Sequence, residues 1–510
     1  MELVQIAHRF RSNQELTRRK QIPFIQIPET FNPNGLPYLS EAFNIRLNGG
    51  DWAALYPRDH LMWVSPDLAR TREFIRNQSS GYDALLSDEM KQSFATYYQK
   101  PVELNPDANP VPQGNFIGPT ICFLPTNDCG LGCTYCFSGA QPKKFGAIPW
   151  EIAKAAVDLG ARNAILNRMR TGEGKLTIRF FGGGEPTEYW DSFSRIVGYA
   201  RATAKKSNVD VLVATITNGQ VDEEHFEWFR DHIDEISVSM DGPPEIQNAQ
   251  RPTASGENSF DKSWKFLAAM DAFNMHIKSI RVTVTAETVN RMEEIAKYFW
   301  QNLSKAYSMQ FEPVYFSEVG RQNAQMPTAQ DFVEQLRRVE DMAYERHTQG
   351  RRHGTVGTAT RPLTIRVGSY CDSLEGKGLF VTPDGYLSLC SEISVAADPR
   401  KDDYFVGEYD RTTKRFHVSE QGAATIRKGV PWWCRGCFAQ FSCRGGCEPR
   451  SQNPDKYIRR WWCQMVRSNV RHTWSDVRAG KIEPRARIGD PNGEELIWLP
   501  IWESSASMDD

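Results

Sequence analysis

The sequence predicts an α/β protein: a partial, six-stranded (β/α) barrel over residues 119–345, with an α+β extension before it and a cysteine-rich domain behind it. Three observations point there. Between Thr120 and Val314 short apolar strand segments alternate with helical stretches, a pattern that requires parallel pairing through right-handed crossovers. The loops richest in Cys, Gly, Asn and Asp come directly after strands, at the end of a parallel barrel where residues for chemistry collect. Ten of the eleven cysteines fall into two motifs, leaving Cys122 among apolar neighbours on the first barrel strand, where it reads as a small buried residue.

Residues 1–100 hold no cysteine and mix extended pieces with turn signals, as in NPNGLPYLSEAFNIRLNGGDWAALYP, before helix-like stretches from Ser65 and from Asp88 to Tyr98. A Pro-rich linker, 101–118, follows. Thr120–Leu124 (TICFL) is the first barrel strand, and Trp150–Met169 a helix with Ile152, Ala156 and Leu159 on one face. Leu176–Phe181, Val211–Thr217, Glu235–Met240, Ile280–Thr285 and Met309–Val314 complete the strands. Between them Phe193, Ile196, Val197 and Ala200, then Phe226, Phe229 and Ile233, mark helix faces, and further helices lie around Phe260–Met270 and Met292–Phe299. A helix with Phe332, Leu336, Val339 and Ala343 on one face leads into residues 346–470, the cysteine-rich domain; residues 471–510 form a polar tail ending in LIWLPIW.

The first motif, DCGLGCTYCF from Asp128 to Phe137, sets Cys129, Cys133 and Cys136 at C-x3-C-x2-C. Three thiolates this close, with Gly130 and Gly132 freeing the backbone, can wrap a metal centre but cannot sit comfortably as disulfide partners. Three ligands are one short of closing a four-iron cluster, and an iron with a free position can bind and activate a small molecule. Read alone, the triplet also fits half of a zinc site. After the second strand, Gly182-Gly183-Gly184-Glu185-Pro186 lets the backbone approach a ligand closely, and Glu185 can accept from an ammonium group.

The cysteine spacing, with the aromatic Tyr135 before the last Cys, resembles the radical S-adenosylmethionine (radical SAM) superfamily. The resemblance implies that the open iron chelates the amino and carboxylate groups of SAM, and that Gly183, Gly184 and Glu185 meet its amino group. Thr217-Asn218-Gly219 and Ser239-Met240-Asp241-Gly242-Pro243, after strands three and four, resemble segments lining the SAM pocket, which makes Asn218, Ser239 and Asp241 cofactor-site candidates. Arg281 is placed to meet the SAM carboxylate through a charge-assisted pair.

The second motif is Cys371, thirteen residues, Gly385, four residues, Cys390; then C-x2-C-x5-C-x3-C at Cys434, Cys437, Cys443 and Cys447; then Cys463. It resembles in full the seven-cysteine pattern of the SPASM extension, found behind radical SAM barrels of enzymes that modify peptides and proteins. Seven thiolates at these gaps exceed what one zinc needs and can hold two further iron–sulfur clusters. By the resemblance, Cys434, Cys437, Cys443 and Cys463 hold the outer auxiliary cluster and Cys371, Cys390 and Cys447 the inner one, which is left one cysteine short. The cofactors implied are SAM and three 4Fe-4S clusters, one of the radical SAM type and two auxiliary. Residues 1–100 resemble the recognition domain with which many peptide-modifying enzymes hold a leader peptide; a packing or dimerising extension would have the same composition.

Lys plus Arg number 61 against 63 Asp plus Glu, a formal charge of −2, which gives no electrostatic reason for a nucleic-acid or acidic-membrane partner. No apolar run suits a signal peptide or approaches the roughly 18 residues of a membrane span, so a cytoplasmic protein is expected. Cysteines clustered in a reducing compartment favour metal ligation over disulfides. The function implied is that of a radical SAM/SPASM maturase using a 5'-deoxyadenosyl radical on a ribosomally made precursor peptide, with a reductant such as flavodoxin or ferredoxin as partner. No catalytic base stands out. The alternative within the same chemistry is anaerobic sulfatase maturation. Those enzymes carry an aspartate directly after the cysteine corresponding to Cys390, and this chain has Ser391 and Glu392 there. From another class, a zinc-binding scaffold without catalysis would be colourless and free of labile sulfide.

Overall fold

In the computed structural model of the chain, the described residues are 118–315, 320–351, 353–354, 356–357, 371, 373, 378–419, 434, 437, 439, 443–451 and 455–478, together with the strands 25–27, 43–46, 52–56, 61–65, 482–486 and 496–500. They fall into two compact units: Met1–Ala108 with Thr360–Tyr370 and Val430–Asp510, and Asn109–Ala359 with Cys371–Gly429.

In the first unit β1 (Ile25–Ile27), β2 (Phe43–Arg46), β3 (Trp52–Tyr56) and β4 (Leu61–Ser65) form a sheet of order β1-β4-β3-β2. The helix-like stretches expected after Ser65 and from Asp88 to Tyr98, and the linker as far as residue 117, lie outside the described residues.

The second unit carries the barrel strands β5 (Thr120–Phe123), β6 (Lys175–Phe180), β7 (Asp210–Thr217), β8 (Glu235–Ser239), β9 (Ile277–Val284) and β10 (Met309–Pro313). They pair in parallel in chain order, as the alternating pattern requires. β9 begins at Ile277, three residues before the expected Ile280. The apolar side chains that mark strands and helices in the sequence meet between them. Phe123, Phe180, Phe193, Phe229 and Phe266 are fully buried, with Phe180 and Phe193 at 4.7 Å and Phe229 and Phe266 at 5.0 Å between ring centroids. Each such side chain contributes about 1.5–3 kcal/mol relative to exposure. The first helix, α1 (Trp150–Thr171), lies close on the sheet because Gly160 has no Cβ; one there would stand 2.7 Å from Ile121 and Leu176 side-chain carbons.

The sheet continues beyond the six strands. β11 (Val356–Gly357) pairs with β10, and β12 (Gly378–Val381) pairs in parallel with β5 before a meander of β13 (Tyr386–Ser388), β14 (Phe405–Asp410) and β15 (Arg415–Val418). Part of the cysteine-rich region is therefore built onto the barrel's own sheet. The Gly385 of the second motif makes the β12–β13 turn at φ +94°, where a Cβ would press Ile152 at 3.1 Å and Tyr409 at 3.2 Å. Among the described residues no helix is long and apolar enough to cross a membrane.

Candidate active site

The loop leaving β5 carries Cys129, Cys133 and Cys136, and its shape is set by the residue before the first of them. Asp128 is fully buried, and its carboxylate accepts from the backbone N–H groups of Lys144, Phe145 and Gly146, each at 2.8 Å, and from Tyr189 Oη at 2.6 Å. Burial raises its pKa, but the Tyr189 and backbone donors outweigh that and hold it below the usual aspartate range. Thr126 Oγ1 donates to Gly146 O at 2.8 Å and accepts from Asp128 N, while Cys129 N donates to Gln141 O at 3.2 Å. The stretch 141–146 is thus folded back under the first cysteine.

The glycine segment after β6 seats directly on this loop. Gly184 N donates to Thr126 O and Glu185 N to Asp128 O, at 2.9 and 2.8 Å. A Cβ on Gly184 would lie 1.9 Å from Asp128 O, and one on Gly183 would lie 2.0 Å from Asn127 Oδ1. The close approach these glycines permit is therefore to the cysteine loop itself. Glu185 is buried; it accepts from Thr217 Oγ1 at 2.7 Å, Thr187 Oγ1 at 2.9 Å and Asn218 N at 2.8 Å. Burial raises its pKa despite those donors. Asn218 completes the link by presenting Nδ2 to Cys129 Sγ at 3.6 Å. Three of the expected cofactor residues, Gly183, Gly184 and Glu185, and with them Asn218, surround one edge of the cysteine triplet.

Asp241 is placed differently. Its carboxylate accepts from Tyr135 Oη, from Gln250 Nε2 at 2.8 Å and from Thr283 N at 3.0 Å, with Arg251 at 3.8 Å. Arg251 also donates to Tyr135 Oη at 2.9 Å. The aspartate expected to line a cofactor pocket fastens the aromatic residue of the cysteine motif to the end of β8. Ser239 and Arg281 are neighbours across β8 and β9, and Arg281 pairs with Gln310 on β10. Arg281 lines a cavity of about 250 Å³ with Arg179, Glu235, Ser237, Ser279 and Gln310.

Arg321, which nothing local in the sequence singles out, holds the far side of the loop. Its guanidinium donates to Cys133 O at 3.2 Å and Ala140 O at 2.6 Å, and its N–H donates to Cys136 O at 2.8 Å. Gly320 beside it approaches so closely that a Cβ would meet Phe137 O at 2.6 Å and Cys136 O at 2.7 Å.

The donor set suits a cationic multi-iron group. Cys133 packs with Leu131, Tyr135 and Val314 in an apolar pocket, and Cys129 and Cys136 lie against it. Burial pushes the Cys133 thiol up to about 11, with the Arg251 and Arg321 cations opposing. Thiols desolvated in this way become thiolates when a metal's charge offsets the burial cost. Among the described residues no three His, Cys, Asp or Glu converge on the position of one ion. A cluster of several irons takes its thiolates from wider apart than a single ion does.

In the first unit Cys434, Cys437, Cys443 and Cys463 gather into a second group. Burial raises Cys443, and Cys434, Cys437 and Cys463 add to it through like-charge repulsion; burial with Cys463 and Cys437 pushes Cys434 up to about 11. Cys447 also belongs to this unit, whereas Cys371 and Cys390 belong to the unit with the barrel. Cys390 N donates to Ser388 Oγ at 3.2 Å, just beyond β13. Cys122 is buried on β5 and raised by burial to about 12, with Arg179 opposing and Cys371 adding.

A loop of three cysteines at the carboxyl end of the first of six sequential parallel strands, seated on a glycine–glutamate turn from the second, defines a radical SAM domain. The sequence model of the Radical SAM superfamily matches residues 123–299, from the end of β5 past β9 and so across the cysteine loop and the glycine–glutamate turn, and the chain therefore carries that domain. The chain is 26% identical over 237 residues to a cysteine-type anaerobic sulfatase-maturating enzyme of Clostridium perfringens (strain 13 / Type A), covering 44% of this chain and 60% of that one. A like enzyme of Clostridium novyi (strain NT) is 25% identical over 181 residues, 34% of this chain and 46% of the relative. The chain thus spans at most about 60% of the length of these curated relatives. Among solved structures, anSMEcpe with bound AdoMet superposes with a TM-score of 0.53 at 21% identity, covering 71% of this chain and 94% of that one. The same protein with AdoMet and the Cp18Cys peptide gives 0.53 and 21%, covering 71% and 98%. At that identity the likeness establishes the fold.

Proposed function

We propose that this protein is a radical SAM/SPASM enzyme that modifies a residue of a polypeptide. The observation that carries the reading is the seating of the glycine–glutamate turn on the cysteine loop, with Asn218 joining Glu185 to Cys129. A 4Fe-4S cluster and SAM, when bound, supply a one-electron cleavage that yields methionine and a carbon radical able to take hydrogen from substrate. Cys129, Cys133 and Cys136 would hold the cluster. Gly183, Gly184 and Glu185 would receive the SAM ammonium group, for Glu185 Oε2 accepts one bond from Asn218 N and a carboxylate oxygen can take another. Ser239 and Arg281 would lie along the rest of the cofactor bed, Arg281 toward its carboxylate, and Asp241 would act on it through Tyr135. The packing of Leu131, Tyr135 and Val314 around Cys133 keeps water from the reacting atoms.

For the substrate, the seven-cysteine pattern supports a ribosomally made precursor peptide. Cys434, Cys437, Cys443 and Cys463 would hold the outer auxiliary cluster and Cys371, Cys390 and Cys447 the inner one. A second reading, sulfatase maturation, is favoured by the names of the curated relatives, and Ser391 with Glu392 in place of the aspartate after Cys390 speaks against it. Anaerobically reconstituted protein, reduced in the presence of SAM, is expected to release 5'-deoxyadenosine. Zinc without iron or sulfide would refute the reading. Mass spectrometry after incubation with a sulfatase Cys peptide and with short peptides encoded beside the gene separates the two substrates.

A further inference from the structure

The cysteine loop has a solvent-facing side that the proposed chemistry leaves unused. Gln141, Pro142, Lys143, Lys144 and Phe145 are all exposed in succession, and Phe145 shows 48% of its surface although it is a large apolar ring. Lys144 Nζ stands 5.1 Å from the centre of that ring. An exposed loop is ordinarily held only at its ends. This one is held from beneath along its length, by Asp128 through the N–H groups of Lys144, Phe145 and Gly146, by Thr126 through Gly146 O and by Cys129 through Gln141 O. Two cations and an aromatic ring are thus carried on a backbone that is held by Asp128, the residue before the first cysteine of the triplet. A backbone already held in place lowers the ordering cost of docking, and an exposed aromatic ring with a cation beside it has the character of an interface anchor.

We propose that the Lys143–Lys144–Phe145 platform is the docking site for an acidic one-electron carrier protein. The inference rests on the radical SAM reading, because only a redox site at Cys129, Cys133 and Cys136 needs a donor there. In the step the carrier is oxidised by one electron and the cysteine-held site is reduced by one. The formal charge of the chain is −2, so an acidic carrier gains nothing from the protein's net field, and a local basic platform both attracts it and orients it. The path is short: Lys144 N and Phe145 N each lie 2.8 Å from Asp128 Oδ1, and Asp128 adjoins Cys129.

The test compares two reductants on the intact, reconstituted protein: flavodoxin with its reductase, which must dock, and dithionite, which need not. Lys143→Glu/Lys144→Glu is expected to slow flavodoxin-driven SAM cleavage about ten-fold at low salt, an effect that shrinks as ionic strength rises, and to leave the dithionite-driven rate within two-fold. Phe145→Ala should raise the flavodoxin concentration needed for half-maximal rate, and Lys143→Arg/Lys144→Arg should behave as the parent. An unchanged flavodoxin rate in the charge-reversed variant overturns the proposal, as does an equal loss with both reductants. Loss of peptide modification with both donors while SAM cleavage persists would assign the platform to the peptide instead and overturns it too. If the parent protein fails to cleave SAM even with dithionite, the radical SAM reading itself has failed, and that result is distinguishable from all of these.

Discussion

The two cysteine groups differ in how many distant partners hold them. Around Cys129, Cys133 and Cys136 the partners come from far along the chain: Glu188 Oε2 accepts from Gly130 N at 3.0 Å, Asn218 reaches Cys129, and Arg321 spans Cys133 and Ala140. Around Cys434, Cys437 and Cys443 short-range backbone bonds shape the turn, and one side chain, that of Arg467, reaches Cys437 from thirty residues along the chain. Cys437 N donates to Cys434 O, Cys443 N to Ala439 O and Gly446 N to Cys443 O, and Cys463 sits on the helix Lys456–Arg478. The first loop is preorganised by the barrel before any metal binds. The second group brings together four thiols that repel when ionised, so its geometry depends on what neutralises them.

The largest effect should come from the first group. Cys133→Ala is expected to abolish SAM cleavage, whereas Cys437→Ala should leave some cleavage but no finished product; chromatography of 5'-deoxyadenosine and of the peptide separates the two outcomes. Comparable cleavage in the Cys133 variant would break the comparison at its root.

Removing metal sharpens it next. After chelation, backbone amides near Cys463 should lose exchange protection by about a hundred-fold, while those of Lys144, Phe145 and Gly146 stay within about ten-fold of the loaded protein. Equal loss in both regions would show that the first loop is not preformed.

The barrel strands and the first cysteine motif were legible because each is local. Strand periodicity, the C-x3-C-x2-C spacing and the Gly-Gly-Glu turn are all read within a dozen residues. The meander β12–β15 was not, since strands of three to six residues give weak periodicity, although the VTPDGYL turn at Val381–Leu387 was a usable signal. The clasp on the cysteine loop was even less legible. Asp128 and Tyr189 meet from positions 61 apart and Arg321 and Cys133 from 188 apart, and no local pattern encodes such a pairing. The glycines show the difference in kind. Their type was readable, but that Gly183 and Gly184 make room for Asn127 and Asp128 emerged only once β5 and β6 lay side by side.

A smaller effect attaches to Asp128. Asp128→Ala strips a buried carboxylate from several donors and should cost roughly 3 kcal/mol in denaturant unfolding. Its folded pKa lies below the ordinary value of about 3.9, so its contribution is complete above that pH and is lost as pH falls through the folded value. The difference between parent and variant should therefore narrow on acidification below about pH 4. A gap that widened there would contradict the assignment. Smallest of all, Arg321→Lys keeps a cation but not the two-carbonyl fork, and should lower SAM cleavage about three-fold with little change in melting temperature. Arg321→Met, which removes one of the two cations beside Cys133, should in addition make the site harder to reduce in a potentiometric titration. An unchanged potential would leave the arginine a purely structural clasp.

The central claim is that the thiolates of Cys129, Cys133 and Cys136 leave one iron open to SAM. The most direct measurement is electron paramagnetic resonance on a reduced variant in which Cys371, Cys390, Cys434, Cys437, Cys443, Cys447 and Cys463 are replaced by Ala, so that one cluster remains. A spectrum that shifts on adding SAM, with a nitrogen hyperfine coupling that changes when the SAM amino nitrogen is isotopically labelled, is the predicted result. A signal indifferent to SAM would mean that no iron is open to it and would contradict the account.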